Sequence, residues 1–393
     1  MSLPCFARPA LGSHMGTFSS LCSFSFFRRL SLNPAKACAR CFSAKSADMR
    51  DGLSGFLMKS LNFSRSRALV VSNRSSRATS NSLENSRAVI EYFQKLGFSD
   101  VQIRSSVIVC PQILFADVGK TLKPKLDFLQ GLGLVGADLG SYISKSASVL
   151  SVSLDKRLVP NVHILKGVLF NDEDNRDLIV VLRRCKWIVS KDPESVLMRN
   201  IAFLESLGVT GYQQRMLLKR QPSLFVAKES RLNGLVSRVL KMGFSLNSGM
   251  LAYALYSVSC ISVKTVGKKV KLFRDFGFSE KDIILMFRRA PTLLRVSEEK
   301  LKFGIDFFLN IMKCKRTLIV GRPSCLMHNM EDRVVARFRV LQVVKLKGLM
   351  KKDPSFVAMV ELNEEAFIER FISRFRDDTE QLLLAYKGHI LDV

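Results

Sequence analysis

Three pairs of cations occupy one recurring place in the chain: Arg183-Arg184, Lys219-Arg220 and Arg288-Arg289. Guanidinium and ammonium groups repeated at a regular interval break no bonds, but they can track a row of phosphates, and arginine can also fork onto a guanine edge. The same positions have a bland use, because a cation in the last turn of a helix is favoured by the helix dipole by about 0.3–1 kcal/mol whatever the protein binds. Lys268, Lys269 and Lys271 fall at the expected start of a helix, where the dipole disfavours them, and are harder to explain structurally. Arg337 and Arg339 add a basic pair near the C-terminal end. Reaction chemistry has no comparable footing. The chain has no phosphate-cradling Gly-rich loop, no His-Glu-x-x-His, no Gly-x-Ser-x-Gly and no paired carboxylates beside a histidine. His14, His163, His328 and His389 are dispersed, and Cys38 and Cys41 have no second pair to complete a zinc site. Cys110, Cys185, Cys260, Cys314 and Cys325 are expected as small buried residues, and the lone Trp187, beside Ile188 and Val189, as core. A binding protein is expected, with no enzyme activity, cofactor or metal.

Each cation pair directly precedes a break that is written several times over. Cys110-Pro111-Gln112-Ile113-Leu114, Gln221-Pro222-Ser223-Leu224-Phe225, Ala290-Pro291-Thr292-Leu293-Leu294 and Arg322-Pro323-Ser324-Cys325-Leu326 are four copies. With Ala147, Lys186 and Val258 in the proline slot of weaker copies, the spacings are 36, 39, 36, 36, 33 and 32 residues. A period in the thirties predicts a stack of supersecondary units. Gly97, Gly133, Gly208, Gly243 and Gly277 lie 14 or 15 residues before a slot and predict the left-handed end of a first helix. Ser99 with Gln102, Thr210 with Gln213 and Ser279 with Asp282 have the spacing of capping boxes that open a second helix. Phe98 with Ile103, and Phe278 with Ile283, add an apolar staple. The proline then ends the second helix, since it lacks an N–H and its ring clashes with the preceding turn. Leu301, Ile305, Phe308 and Ile311 mark an apolar stripe that one helix cannot bury alone, so paired helices must stack into an all-α solenoid. The polar stretch from Asn171 to Asp177 is expected as a surface insertion.

Composition adds a partner. The chain of 393 residues carries a net charge of +27, and without its first 47 residues 55 basic side chains still face 34 acidic ones, or +21. So basic a body implies nucleic acid or another anionic surface. Apolar runs fall short of the roughly 18 residues of a membrane span, which favours nucleic acid over lipid. Residues 355–393 run the other way, with eight acidic and four basic side chains, and are expected to form a polar cap. Residues 1–47 lack Asp and Glu, are rich in Ser and carry Arg28, Arg29, Lys36 and Arg40, the composition of an organellar transit peptide. Arg40-Cys41-Phe42-Ser43 is similar to a mitochondrial processing site, which favours the mitochondrion over the chloroplast. Residues 48–85 are expected as a linker or a ragged first helix, and 86–393 as the repeat array.

The glycine, the capped second helix and the Pro-x-Leu/Ile-Leu/Phe ending together resemble the repeats of the mitochondrial transcription termination factor family, the mTERF proteins, from about Ser86 to the C terminus. Asp353-Pro354-Ser355-Phe356 followed by Glu364-Glu365-Ala366-Phe367-Ile368-Glu369-Arg370-Phe371 resembles the ending of its land-plant branch. The resemblance implies a right-handed superhelical solenoid, bent as a half-doughnut, whose basic concave groove holds double-stranded DNA or structured RNA in an organelle. It implies a monomer acting in transcription termination or initiation, intron splicing or ribosome assembly, alongside transcription, splicing or ribosomal proteins. A scaffold for an acidic protein partner is the alternative that the residues leave open.

Overall fold

The left-handed turns are where the expectations meet the computed structural model, which describes residues 52–74, 82–352 and 354–388. Gly97, Gly133, Gly208, Gly243 and Gly277 all have φ between 80° and 98°. At Gly277 the N–H of Phe278 reaches back to Phe273 O at 3.1 Å, the six-residue closure of a Schellman turn. Three units use other residues at this place: Asn171 (φ 59°) with Asn175 (φ 56°), Lys313 (φ 53°) and Gly348 (φ 63°).

The described residues are helical and contain no strand. Helix α1 (52–61) and α2 (Arg65–Arg74) come first, within the segment expected as a linker or a ragged first helix, with Leu53, Leu57, Leu61 and Val71 buried. First and second helices then alternate. They are α3 (Ser82–Lys95) and α4 (Asp100–Val109), α5 (Val118–Leu122 running into Lys123–Gly131) and α6 (Gly136–Ser146), and α7 (Leu154–Leu158 into Val159–Leu169) and α8 (Arg176–Arg184). The fourth and fifth units are α9 (Pro193–Met198 into Arg199–Ser206) with α10 (Gly211–Arg220), and α11 (Glu229–Lys241) with α12 (Leu251–Ser259). The last three are α13 (Val263–Asp275) with α14 (Glu280–Arg289), α15 (Glu298–Asp306 into Phe307–Ile311) with α16 (Arg316–Gly321), and α17 (Met330–Val335 into Ala336–Leu346) with α18 (Phe356–Glu361). Helices α19 (Glu364–Ile368 into Glu369–Ser373) and α20 (Thr379–Lys387) close the array. Second helices pack on second helices, α4 on α6, α8 on α10, α10 on α12 and α14 on α16. The fold is an all-α helical-repeat solenoid.

Most units hold more than the expected pair of helices. The proline does not merely stop α4, α10, α14 and α16; it opens a short 3₁₀ helix, as in Pro111–Phe115, Pro222–Leu224, Pro291–Arg295 and Pro323–Met327. Proline suits a first helical position, where its missing N–H has no partner to lose. The two apolar residues of each copy, such as Leu293 and Leu294, are buried under the unit. Ala147–Ser151 and Ile188–Ser190 make the same turn without proline, whereas α12 runs on through the Val258 slot to Ser259.

A buried donor on the first helix clasps the carbonyls that this turn leaves open. Ser86 Oγ donates to Leu114 O at 3.2 Å and Lys125 Nζ to Leu150 O at 2.6 Å. Asn161 Nδ2 donates to Val189 O and Lys191 O at 3.1 and 2.9 Å, and Asn200 Nδ2 to Phe225 O and Ala227 O at 3.0 and 2.9 Å. Lys269 Nζ donates to Val296 O, and in the seventh unit the half-buried Lys300, one turn earlier on its helix, donates through Nζ to Met327 O at 2.9 Å. In the fifth unit the corresponding stretch of α11 carries the buried apolar Leu235 and Val236.

The start of each first helix sets the reach of the clasp. Asp117, Ser153, Asp192 and Asn329 cap an opening π turn, each accepting from a backbone N–H two or three residues on. The clasp residue follows eight positions later at Lys125, Asn161, Asn200 and Arg337, but seven after Ser262 at Lys269, where α13 opens as a plain α-helix.

Other local expectations divide. Ser99–Gln102 and Ser279–Asp282 form both bonds of a capping box, while the Thr210 side chain makes no cap bond. Leu301, Ile305 and Phe308 are buried, but Ile311, at the frayed end of α15, is exposed. The Asn171–Asp177 loop is a cap as well as an insertion, with Asp172 accepting from Asp177 N and Leu178 N at 3.0 and 2.9 Å. Cys110, Cys185 and Cys325 are buried and Cys260 is exposed. The acidic end neutralises the last units, through Arg322–Glu361 at 3.1 Å, Arg337–Glu364 at 3.0 Å and Lys347–Asp378 at 2.5 Å. No helix among the described residues is long and apolar enough to cross a membrane. The stretch expected as a transit peptide lies outside the described residues.

Candidate nucleic-acid interface

The helix breaks of neighbouring units touch, which turns a sequence period into a spatial row. Cys110 Sγ lies 3.0 Å from Ser151 Oγ, joining the first and second breaks. Arg184 Nη1 donates to Lys219 O at 2.6 Å and Arg289 Nη1 to Val320 O at 2.7 Å, so each arginine caps the last turn of the next second helix. Cys260 Sγ is 3.9 Å from Gln221 Oε1. The expected pairs all sit in the last turns of α8, α10 and α14. The dipole explanation and the row are therefore both satisfied in two of the three pairs: Arg184 and Arg289 are each spent on a carbonyl, yet both residues stay exposed.

The members differ in how free they are. Arg183 pairs with Asp138 at 2.9 Å while remaining half exposed. Lys219 pairs with Asp177 at 2.7 Å. Arg220 is exposed, its guanidinium 5.6 and 5.8 Å from the ring centroids of Tyr256 and Tyr253. Arg295, in the break after α14, lies over the same Tyr256 ring at 4.3 Å, which carries the row across the fifth unit. Arg288 is exposed, and among the described residues no carboxylate pairs with it.

Two of the expected binding residues are clasps. Lys269 is buried and donates to Val296 O; burial holds its pKa below the ordinary lysine value, with Glu298 pulling the other way. Arg337 has 0% exposure, donating to Met359 O at 2.6 Å and Leu362 O at 2.8 Å, pairing with Glu364 and lying 4.3 Å over the Phe367 ring. A cation is tolerated there because it meets a helix end's worth of unpaired carbonyls. Both therefore leave the surface set. Lys268 and Lys271 are exposed on α13, a first helix, where the row has no member, and Arg339 is half-buried near Gly388.

The structure adds residues that sequence reasoning passed over. Trp187, expected in the core, is 51% exposed in the break after α8, while Ile188 and Val189 beside it are buried. Tyr212, at the start of α10, is 69% exposed. Arg184, Tyr212, Arg215, Lys219 and Arg220 surround a cleft of 480 Å3 between α8 and α10. Asp177, 16% exposed in the first turn of α8, receives Arg215 through Nη2 at 2.7 Å and Nε at 3.2 Å, besides Lys219. Burial alone would raise the Asp177 pKa, but the hydrogen bonds and charges of Lys219 and Arg215 outweigh it and hold the carboxyl below its ordinary value. The spacing of Arg215 and Lys219, four residues apart on one helix face, was a legible signal; the carboxylate that joins them comes from another unit.

A row of cations flanked by exposed aromatic rings can hold a phosphate backbone and offer stacking surfaces beside it. Comparison with known proteins gives this geometry a lineage. The mTERF family model matches residues 90–250 and 218–368, which together cover more than half of the chain. Transcription termination factor MTERF8, chloroplastic, of Arabidopsis thaliana is 21% identical over 306 residues, 77% of this chain and 57% of that protein. Transcription termination factor MTERF15, mitochondrial, of the same plant is 22% identical over 303 residues, 67% of this chain and 66% of that protein. The match thus spans less than two thirds of either relative's own length. Repeat, break and sequence similarity agree: the chain belongs to the mTERF family.

Proposed function

We propose that this protein binds nucleic acid in an organelle, double-stranded DNA first, and regulates transcription there, including its termination. It does so by occupying a site and impeding or recruiting machinery, without catalysis. The observation that carries this reading is the contiguous row, in which Arg184 and Arg289 each bridge to the next second helix and Arg220, Arg288 and Arg295 present charge beside them. The names of the two relatives, both termination factors and both organellar, support the process and the compartment. The acid-free first 47 residues and the Arg40-Cys41-Phe42-Ser43 stretch favour the mitochondrion. Exposed Trp187 and Tyr212 support a second reading, structured RNA with unpaired bases, because an exposed ring stacks best on a base that has left its helix.

Salt-dependent binding tests the reading directly. Affinity for duplex DNA and for an RNA stem-loop is measured by fluorescence anisotropy across a salt series. Replacing Arg288 and Arg289 by Ala weakens binding and flattens the log–log salt slope by about 0.9 for each DNA phosphate that is no longer neutralised. An unchanged slope removes both residues from the interface. Crosslinking in intact organelles, with bound DNA and RNA sequenced in parallel, then separates the readings: enrichment at gene ends or promoters fits transcription, and enrichment on introns or ribosomal RNA fits splicing or assembly.

A further inference from the structure

Within the row, the cleft between α8 and α10 gathers several cations and ties two of them to a single carboxylate. Arg184, Arg215, Lys219 and Arg220 surround it, and one carboxylate, Asp177, is tied to two of them. Four cations against one anion leave an excess of three positive charges around 480 Å3, a volume within the roughly 300–1,000 Å3 of ordinary ligand sites. The donors are only partly used. Arg215 gives Nε and Nη2 to Asp177, leaving Nη1; Arg184 gives Nη1 to Lys219 O, leaving Nε and Nη2; Lys219 gives one of its three N–H groups to Asp177.

The two partners of Asp177 are held unequally. Arg215 is mostly buried and lies 5.3 Å over the Phe170 ring, so its place is fixed from two sides. Lys219 is more exposed, at 37%, and an ammonium on a flexible stem can swing to another anion while its helix stays in place. A carboxylate in this position presents to Lys219 what a phosphate oxygen would present.

We propose that Asp177 is a built-in stand-in for a backbone phosphate: it occupies Lys219 until a phosphate seated in the α8–α10 cleft takes that lysine from it. The inference rests on the nucleic-acid reading and deepens it by naming a phosphate subsite and the residue that restrains it. Its use is selectivity. A protein this basic attracts any polyanion, and a cation that must first be released from an internal partner rewards only a ligand seated deeply enough to replace that partner.

The test uses the full chain lacking only residues 1–47, with a fluorescein-labelled DNA duplex and an RNA stem-loop as probes. Asp177→Asn keeps a polar side chain and removes the charge; it is expected to tighten binding severalfold with the salt slope little changed, because Lys219 meets a phosphate in both complexes, whereas Lys219→Ala alone flattens the slope by about 0.9 on the duplex. Adding Lys219→Ala to Asp177→Asn abolishes that gain. Asp177→Ser, checked like the others by its thermal melt, gives the same result should the Asn variant fold poorly. Weaker or unchanged binding in a folded Asp177 variant, a gain that survives Lys219→Ala, or a slope that Lys219→Ala leaves unchanged overturns the proposal. Arg288→Ala separates the two levels. If the wild type binds and Arg288→Ala flattens its slope while the Asp177 variants change nothing, the restraint is refuted and the interface stands. If the wild type binds neither probe, the interface fails and the restraint with it.

Discussion

Replacing Asn200 tests the clasp more sharply than any apolar truncation, because the side chain acts through the sense of its hydrogen bonds. Asn200 is 1% exposed, and its Nδ2 donates to Phe225 O at 3.0 Å and Ala227 O at 2.9 Å, with a longer approach to Leu224 O at 3.4 Å. Asn200→Leu keeps the branched side-chain shape and removes the donor. Two buried carbonyls lose their partner at about 1–3 kcal/mol each, so a loss of about 2–6 kcal/mol is expected. Asn200→Asp is the discriminating variant, since it keeps size and polarity but turns an acceptor toward acceptors. Its carboxyl is expected to titrate above the unfolded Asp value of about 3.9, because only the protonated form can donate to those carbonyls. With the folded pKa raised, the variant's stability is retained below the unfolded value and lost as pH rises through the folded one. Urea unfolding of the three proteins at acid and neutral pH, with hydrogen exchange around Phe225 to resolve local opening, measures this. An Asn200→Asp protein as stable as the wild type at neutral pH, or one whose deficit does not grow with pH, refutes the clasp as a donor-to-carbonyl device.

Gly277→Val is expected to cost about 1–2 kcal/mol or more in thermal unfolding, since a β-branched residue must take φ +80° and its Cβ would meet the Arg316 guanidinium at 3.0 Å. Lys313 is an exposed non-glycine residue at φ 53°, so Lys313→Gly is expected to stabilise by about 0.5–1 kcal/mol; a lower melting temperature would show that the turn does not strain the lysine. Burial lowers the Lys269 pKa, so its charged form costs the folded state, and stability relative to Lys269→Met should rise as pH climbs from the folded pKa toward the ordinary value of 10.5. Paired denaturation curves measure that difference, and a difference that is flat with pH would count against the burial.

The features legible in the sequence are those enforced by a residue's own backbone. Gly277 and Pro291 restrict φ locally whatever surrounds them, so their period marks helix ends before any packing is known. The same locality explains the expected cap at Ser279. The clasps were hidden for the opposite reason. Ser86, Lys125, Asn161, Asn200, Lys269 and Arg337 share a task without sharing a chemical type, and the π turns shift their offset by one residue, so no single period lines them up. Charge misled at Lys269 and Arg337, because a cluster of open carbonyls makes a burial site for a cation that composition cannot reveal. The candidate interface was legible as a row of cations, whereas the Asp177–Lys219 ion pair was not, since the two residues meet only across a unit boundary.

The fifth unit combines two omissions. Helix α12 continues through the Val258 slot without a 3₁₀ turn, and α11 offers Leu235 and Val236 where other first helices carry a clasp. Elements joined in series share a load equally but yield in proportion to their compliance, as springs of unequal stiffness do. The array therefore deforms most at its least fastened member, which stands between α10 and α14. What spans that member on the basic row is Arg220 and Arg295 over Tyr256, an interaction worth about 0.5–2 kcal/mol that can slide without breaking geometry. For a helical ligand of the kind proposed, the spacing of cations and phosphates need not match in advance, because the mismatch would collect at this joint before it strained the clasped units.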